Sequence, residues 1–151
     1  MLEKRTVRIK KLNENAVIPS YGSEFAAGAD LYACIAADKI VLKPHSTNFI
    51  PTGIAMEIPV GFVGLIYARS GIACKRSLAP ANKVGVIDSD YRGEIMVALH
   101  NHSEEIQEIE NGERIAQIVI TPYLTAEFIE ADSLEESVRG EGGFGSTGRK
   151  G

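Results

Sequence analysis

The chain has 151 residues, of which 44% are hydrophobic and 24% charged, and its formal net charge is −4. That length suits one ordinary domain with a buried core, and the acidic balance argues against a general nucleic-acid surface, which needs a basic stripe. No apolar run reaches the length of a signal peptide or a membrane span. We therefore predict one soluble domain without a nucleic-acid or membrane partner.

The two cysteines, Cys34 and Cys74, lie far apart in the chain. Their spacing indicates neither a zinc site nor a disulfide framework. They are typical of free thiols in a reducing compartment, so we predict a cytoplasmic location.

Short stretches of β-type residues recur along the chain, and turn signals such as Pro51-Thr52-Gly53 separate them. This pattern predicts an all-β sandwich or barrel. Residues 94–101 alternate only partly, so we expect a second sheet or another subunit to cover the second face of that strand. One short helix is predicted within 70–77. Strands are predicted at 6–11, 40–42, 48–50, 54–58, 62–67, 83–87, 94–101, 114–121 and 126–130.

Two segments in the first half carry polar residues that a sandwich does not need. Asp30 lies among small and apolar residues, where it either caps a turn or faces a charged ligand. Arg69 and Ser70 lie where a predicted strand meets the predicted helix. They could converge on an anion with the first helix amides, or Ser70 could cap the helix beside a solvated Arg69.

Asp88 and Asp90 are two residues apart within 85–95. In an extended chain they would project to the same side and could share a cation, but the same residues are equally typical of a hairpin turn. His100 and His102 have the same spacing. Because no third ligand is visible, we interpret them as strand histidines rather than as a metal site.

Residues 139–148 contain five glycines. Glycine loses much backbone freedom on ordering and offers no side chain to bury, so we predict a flexible C-terminal arm over 138–151 that follows a domain at 1–137. The arm is either a solvated tail or a lid. A guanidinium from Arg139, an aromatic face from Phe144 and neighbouring hydroxyls would suit a nucleoside polyphosphate. The segment lacks the ending of a P-loop, so we do not predict a P-loop NTPase.

Taken together and in order, these segments resemble the five motifs of the homotrimeric dUTPase family, the deoxyuridine triphosphate nucleotidohydrolases. The resemblance implies a β jelly-roll protomer and a homotrimer whose active sites are shared between subunits. It implies Mg²⁺-dependent hydrolysis of dUTP to dUMP and diphosphate, which limits uracil in DNA and supplies dUMP for thymidylate synthesis. The matching segments are residues 27–33, 69–73, 85–95, 112–118 and 139–148.

The resemblance also implies roles for single residues. Asp88 matches the general base that activates the attacking water, and Asp30 matches the residue that holds magnesium through bound waters. Asn82 and the backbone through Val86 match the hairpin that reads uracil, and Tyr91 matches the ring under the deoxyribose. Other matches bind the substrate: Arg69, Ser70, Gly71 and Gln117 around the triphosphate, Phe144 on uracil, Arg139, Ser146 and Thr147 in the arm around the γ-phosphate, and Gly145 of the arm as a further substrate-binding residue.

The match has departures and rivals. Ala68 stands where many members have proline, and we expect it to loosen the backbone before Arg69. Asp90 receives no role. A dCTP deaminase on the same fold and a non-catalytic nucleotide-binding protein are the alternatives, and hydrolysis is favoured because Asp88 occupies the position of the base and the arm is present.

Overall fold

The structure, a computed structural model, describes residues 3–144. Within them the all-β prediction with one short helix is confirmed, and the chain folds as a β jelly-roll. The elements are β1 (Arg8–Lys11), β2 (Ser20–Tyr21), β3 (Ala29–Tyr32), β4 (Lys39–Leu42), β5 (Thr47–Glu57), β6 (Phe62–Tyr67), α1 (Ser70–Arg76), β7 (Leu78–Pro80), β8 (Gly85–Ile87), β9 (Glu94–Asn101), β10 (Gln107–Glu110) and β11 (Arg114–Pro122).

Two antiparallel sheets enclose the core. One has the strand order β1-β5-β9-β7 and the other β2-β3-β11-β6-β8, while β4 and β10 form a separate two-stranded ribbon. Aliphatic side chains from both sheets are removed from water, which is the main stabilising term in such a fold. Fully buried members include Leu31, Ile50, Ile95, Leu99 and Ile115.

Strand β5 was predicted as two strands with a turn at 51–53, and that prediction is wrong. The chain continues through this point with a register shift between Pro51 and Ala55, and Gly53 adopts φ 68°. Neighbouring β9 stabilises the irregularity, because the Thr52 hydroxyl donates to the Ile95 carbonyl at 2.6 Å. The turn-like residues therefore form a bulge inside one long strand.

The predicted strand at 126–130 is also wrong, because those residues are exposed and no strand within 3–144 pairs with them. A strand needs a partner for its backbone N–H and C=O groups. Strands β2, β3, β7 and β10 were not predicted. In β9 the residues from Ile95 onward alternate between buried and partly covered, and Met96 is exposed, so residues 3–144 bury only one face of β9.

Helix α1 lies within the predicted range but begins differently. Arg69 occupies the position before the helix with extended backbone, and no side chain caps the first turn, so the prediction of a Ser70 cap is wrong. At the other end Arg76 ties the helix to the β10–β11 region, where its Nε donates to Gln107 at 3.3 Å and its guanidinium pairs with Glu113. The helix is thereby held beside the start of β11.

Across residues 3–144 the helical structure is too short and too polar to cross a bilayer.

Candidate active site

A polar cavity of about 200 Å³ lies where β3, β11 and the start of α1 meet. We call it the arginine cavity. Six of its lining residues belong to segments that sequence analysis singled out, so the fold brings three separate parts of the chain together here. It is lined by Gly22, Ala26, Gly28, Asp30, Arg69, Ser70, Arg114 and Gln117.

Asp30 lies at the centre of this cavity between two arginines. Its side chain is buried, and its Oδ1 accepts a hydrogen bond from Arg69 Nε at 2.7 Å. Its Oδ2 accepts one from Arg114 Nη1 at 3.3 Å. Asp30 is in β3 and is not a turn cap, and Arg69 is paired rather than solvated, so those two readings are wrong. Two guanidinium groups against one carboxylate leave the cavity with a net positive charge.

Gln117 on β11 has a fixed orientation in the same cavity. Its Nε2 donates to the Ala68 carbonyl at 2.9 Å, which ties down the backbone that we expected to be loosened before Arg69. Its Oε1 lies against the backbone of Gly28, where an added Cβ would stand only 2.4 Å from that oxygen. Glycine at position 28 therefore makes room for the amide. Gly71 does not line the cavity and is exposed.

Sequence reasoning missed Arg114, and the reason is a β-bulge. Against β3, Arg114 pairs with Tyr32 while Ala116 pairs with Leu31, so the register shifts by one residue between them. Ile115 and Ala116 are both buried at this point. Strict alternation would place residues three apart on opposite faces, but the bulge brings Arg114 and Gln117 to the same cavity.

A second cavity of about 180 Å³ lies after β8, and we call it the aspartate cavity. Asp88 is exposed in a turn in which the Tyr91 amide donates to the Asp88 carbonyl at 3.2 Å. Asp88 and Asp90 are therefore in a turn and not in extended chain, so the paired-carboxylate reading is wrong. The turn reading is right, but the turn closes no hairpin, because β8 and β9 belong to different sheets. Its lining residues are Val86, Ile87, Asp88, Tyr91, Glu94 and Met96.

The Tyr91 ring is held in place from two sides. Its hydroxyl donates to the Glu94 carbonyl at 3.0 Å, and a Cβ added at Gly93 would stand 2.4 Å from that hydroxyl oxygen. Asn82 is exposed in the turn before β8. That turn joins β7 and β8, which belong to different sheets, so it does not close the hairpin that the resemblance implied.

The two cavities have no lining residue in common. Strand β8 pairs with β6 so that Ile87, the residue before Asp88, lies opposite Gly64. The chain runs five residues from Gly64 before it reaches Arg69. At about 3.3 Å per extended residue, Gly64 and Arg69 are roughly 16 Å apart. Within one chain the aspartate cavity and the arginine cavity are thus separate.

Residues 123–144 of the C-terminal segment line neither cavity. The last strand ends at Pro122, and residues 122–141 are exposed. Arg139 Nε donates to the Gly142 carbonyl at 3.0 Å, and Phe144 is fully exposed. The predictions for Gly145, Ser146 and Thr147 lie outside the described residues, and the boundary at 137 stays a prediction.

His100 and His102 meet at the end of β9 with ring centroids 4.4 Å apart. His100 shares a 2.8 Å hydrogen bond with Thr47. Partial desolvation lowers the pKa of His102, and the charges of His100 and Lys83 act in the same direction. In the part of the chain that the structure describes, no three His, Cys, Asp or Glu residues are grouped as metal ligands.

The chain belongs to the dUTPase family, since the family model described as dUTPase matches residues 14–148. The deoxyuridine 5'-triphosphate nucleotidohydrolase of Nautilia profundicola is 49% identical over 143 residues, which cover 95% of this chain and 99% of the relative. The enzyme of the same name from Escherichia phage T5 is 49% identical over 145 residues, covering 93% of this chain and 97% of the relative.

Solved structures agree with the sequence relatives. A variant of the Staphylococcus bacteriophage 80alpha dUTPase with dUpNHpp superposes with a TM-score of 0.87 at 32% identity, covering 97% of this chain and all of that chain (100%). A variant of the phage phi11 dUTPase of S. aureus, described as revealing the coordination of a structural Mg(II) ion, has a TM-score of 0.76 at 28% identity, covering 87% of this chain and 100% of that chain.

Proposed function

We propose that this chain hydrolyses dUTP to dUMP and diphosphate by attack of water on the α-phosphorus. The observation that carries the proposal is the family match over residues 14–148, which spans both cavities. By this reaction the protein would limit uracil incorporation into DNA and supply dUMP for thymidylate synthesis. The two unpaired thiols, Cys34 and Cys74, support a cytoplasmic location.

Hydrolysis at a phosphorus needs a positioned water, a base for its proton and cationic groups that offset the phosphate charge. Asp88 is the proposed base, and its exposed carboxylate lines the aspartate cavity. Arg69, Ser70 and Gln117 line the arginine cavity and are the proposed triphosphate ligands. Gly71, one residue beyond Ser70, is proposed to present its backbone to the same phosphates.

Recognition of the nucleoside is proposed to occur at the aspartate cavity. Asn82 and the backbone through Val86 would pair with the uracil edge and leave no space for the 5-methyl group of thymine. Tyr91 would lie under the deoxyribose and oppose a 2′-hydroxyl. Val86 and Tyr91 line the same cavity as Asp88, which supports a common site for base reading and proton removal.

The residues of the arginine cavity fit a magnesium ion that is held through its bound waters rather than by direct coordination. Both Asp30 oxygens accept hydrogen bonds from guanidinium groups, so Asp30 does not offer a free bidentate ligand. Magnesium usually keeps several waters and binds through substrate phosphates. Each carboxylate oxygen has a second lone pair that can accept from a metal-bound water. Asp30 is thus the proposed holder of the ion through water, and the ion would neutralise charge on the triphosphate.

A homotrimer with shared sites is proposed because one chain does not bring its own groups together. Ile87, next to Asp88, lies opposite Gly64, which is roughly 16 Å along the chain from Arg69, while a general base must lie within hydrogen-bond reach of the water it activates. Exposed apolar residues also call for a covering surface. Met96 in the aspartate cavity and Leu124 and Phe128 after the last strand are examples, the last two more than 90% exposed.

The C-terminal arm, residues 138–151, is proposed to close over the substrate of a neighbouring subunit. Phe144 would stack on uracil, and its full exposure leaves the ring available for that contact. Arg139 would bind the γ-phosphate together with Gly145, Ser146 and Thr147. Closure would exclude bulk water and strengthen the charge interactions inside the site.

The reaction is tested by incubating the protein separately with dUTP, dCTP, dTTP and UTP in the presence of Mg²⁺. We expect dUMP and diphosphate from dUTP and little turnover of the other three. Ammonia release from dCTP would identify a deaminase instead. Tight nucleotide binding without any product would identify a non-catalytic binding protein.

Site sharing is tested by mixing two inactive variants. Asp88→Asn removes the base, since an amide cannot take the proton of water, and should lower kcat about a hundred- to ten-thousandfold. A second variant ends at Ser137 and lacks the arm. Co-refolded trimers should recover activity, because some sites combine an intact Asp88 with an intact arm. Mixed trimers that form by mass spectrometry but stay inactive would show that each site belongs to one chain.

A further inference from the structure

We propose that Arg114 is a second phosphate-binding arginine, which acts beside Arg69 on the polyphosphate of the substrate. The inference rests on the proposed function, since it names an additional ligand for the same substrate. It concerns a residue that the motif comparison left without a role. Three observations support the proposal: the bulge in β11, the single hydrogen bond that the Arg114 side chain makes among residues 3–144, and the exposure of that side chain.

The bulge aims Arg114 into the arginine cavity. With the shift between Arg114 and Ala116, the guanidinium lines the same cavity as Ser70 and Gln117. Bulges commonly redirect one side chain beside a functional site. A regular strand would instead have turned Arg114 to the opposite face from Gln117.

Arg114 keeps most of its hydrogen-bonding capacity. Among residues 3–144 its side chain makes one hydrogen bond, the 3.3 Å contact with Asp30. Its side chain is 51% exposed, against 24% for Arg69. A guanidinium has several further N–H donors, and their planar arrangement matches phosphate oxygens. The remaining donors of Arg114 are thus available to an anion in the cavity.

The contact with Asp30 orients the Arg114 side chain. Asp30 does not need Arg114 as a structural partner, however. Arg69 already satisfies Asp30 with a 2.7 Å bond from a well-covered side chain. The Arg114 bond is longer, more open to water and therefore weaker. Asp30 instead holds both guanidinium groups on one side of the cavity. This arrangement suits a ligand with several negative oxygens, which a polyphosphate provides.

The test measures phosphate affinity apart from turnover. Wild type, Arg114→Ala, Arg114→Lys and Arg8→Ala are titrated calorimetrically with inorganic triphosphate without metal, with a non-hydrolysable dUTP analogue, and with deoxyuridine. Arg8→Ala is the matched control because Arg8 is also a surface arginine paired with one carboxylate, that of Glu57, but lies on β1 away from the cavity.

For Arg114→Ala we expect triphosphate and analogue affinity to fall about tenfold or more, the size of a lost charged hydrogen bond. Deoxyuridine affinity should not change. Arg114→Lys keeps the charge but not the fork, and it should recover only part of the loss. Arg8→Ala should match wild type. Thermal unfolding verifies that each variant is folded. If Arg114→Ala does not fold, Arg114→Lys alone tests the proposal.

Triphosphate affinity of folded Arg114→Ala and Arg114→Lys within twofold of wild type would overturn the proposal and leave Arg114 as a partner of Asp30 alone. Failure of the proposed function gives a different result. In that case wild type would not hydrolyse dUTP, while the effect of Arg114 on triphosphate binding could still be measured.

Discussion

Replacing Gly28 with alanine should impair the reaction without unfolding the protein. The added Cβ would stand 2.4 Å from Gln117 Oε1 and 3.1 Å from Gln117 Cδ, so the amide must move. It would then lose its 2.9 Å bond to the Ala68 carbonyl. Because the displaced atoms are at the end of a flexible side chain, the protein should stay folded, with a free energy of unfolding lower by about 0.5–1.5 kcal/mol for the lost hydrogen bond.

The expected magnitude follows from the contacts that are lost. A neutral hydrogen bond contributes about 0.5–1.5 kcal/mol, and a side chain forced from its rotamer costs about 0.5–1.5 kcal/mol. Substrate binding must restore the Gln117 amide, so about 1–3 kcal/mol should appear in kcat/KM. That corresponds to a loss of about five- to 150-fold for dUTP in a steady-state diphosphate-release assay.

The control is Gly22→Ala, because Gly22 lines the same cavity and a Cβ there meets nothing within 4 Å. It should keep the kcat/KM of wild type. In a Gln117→Ala background the Gly28→Ala change should cost almost nothing more, since the displaced amide is already gone. Full additivity of the two changes, or wild-type kcat/KM in Gly28→Ala, would refute the reasoning.

Three further predictions concern other parts of the chain. Gly93→Ala should displace the Tyr91 ring, because the tyrosine hydroxyl would lie 2.4 Å from the new Cβ. The ratio of kcat/KM for dUTP to kcat/KM for UTP should then fall. An unchanged ratio would argue against a role of the Tyr91 ring in sugar selection. Arg76→Met should lower the free energy of unfolding by about 1–3 kcal/mol, because Glu113 loses a partly buried ion pair, as urea denaturation can measure. His102 has a lowered pKa when folded, so the unfolded chain takes up that proton first and stability falls as pH drops below about 6.5. His102→Gln should remove this pH-dependent loss of stability, which thermal unfolding of wild type and variant at about pH 7.5 and about pH 5.5 can measure. An equal loss of stability in wild type and His102→Gln would contradict the prediction.

The sequence alone determined the class of fold and the family. Residues 62–67 and 94–101 were predicted as strands with their observed bounds, and the helix was predicted within one residue. These elements depend on local composition and alternation, which sequence patterns report directly. The family followed from motif order, because Asp30, Asp88 and their neighbouring motif residues recur at the expected places along the chain.

Tertiary structure decided what depends on partners distant in sequence. Thr52 and Gly53 look like turn residues but form a bulge because β9 supplies their hydrogen-bond partners. Residues 126–130 have strand-like composition but find no strand partner among residues 3–144, and backbone pairing is not a local property. The same holds for Arg114, whose place beside Asp30 depends on a one-residue register shift against β3 that alternation in its own strand cannot reveal.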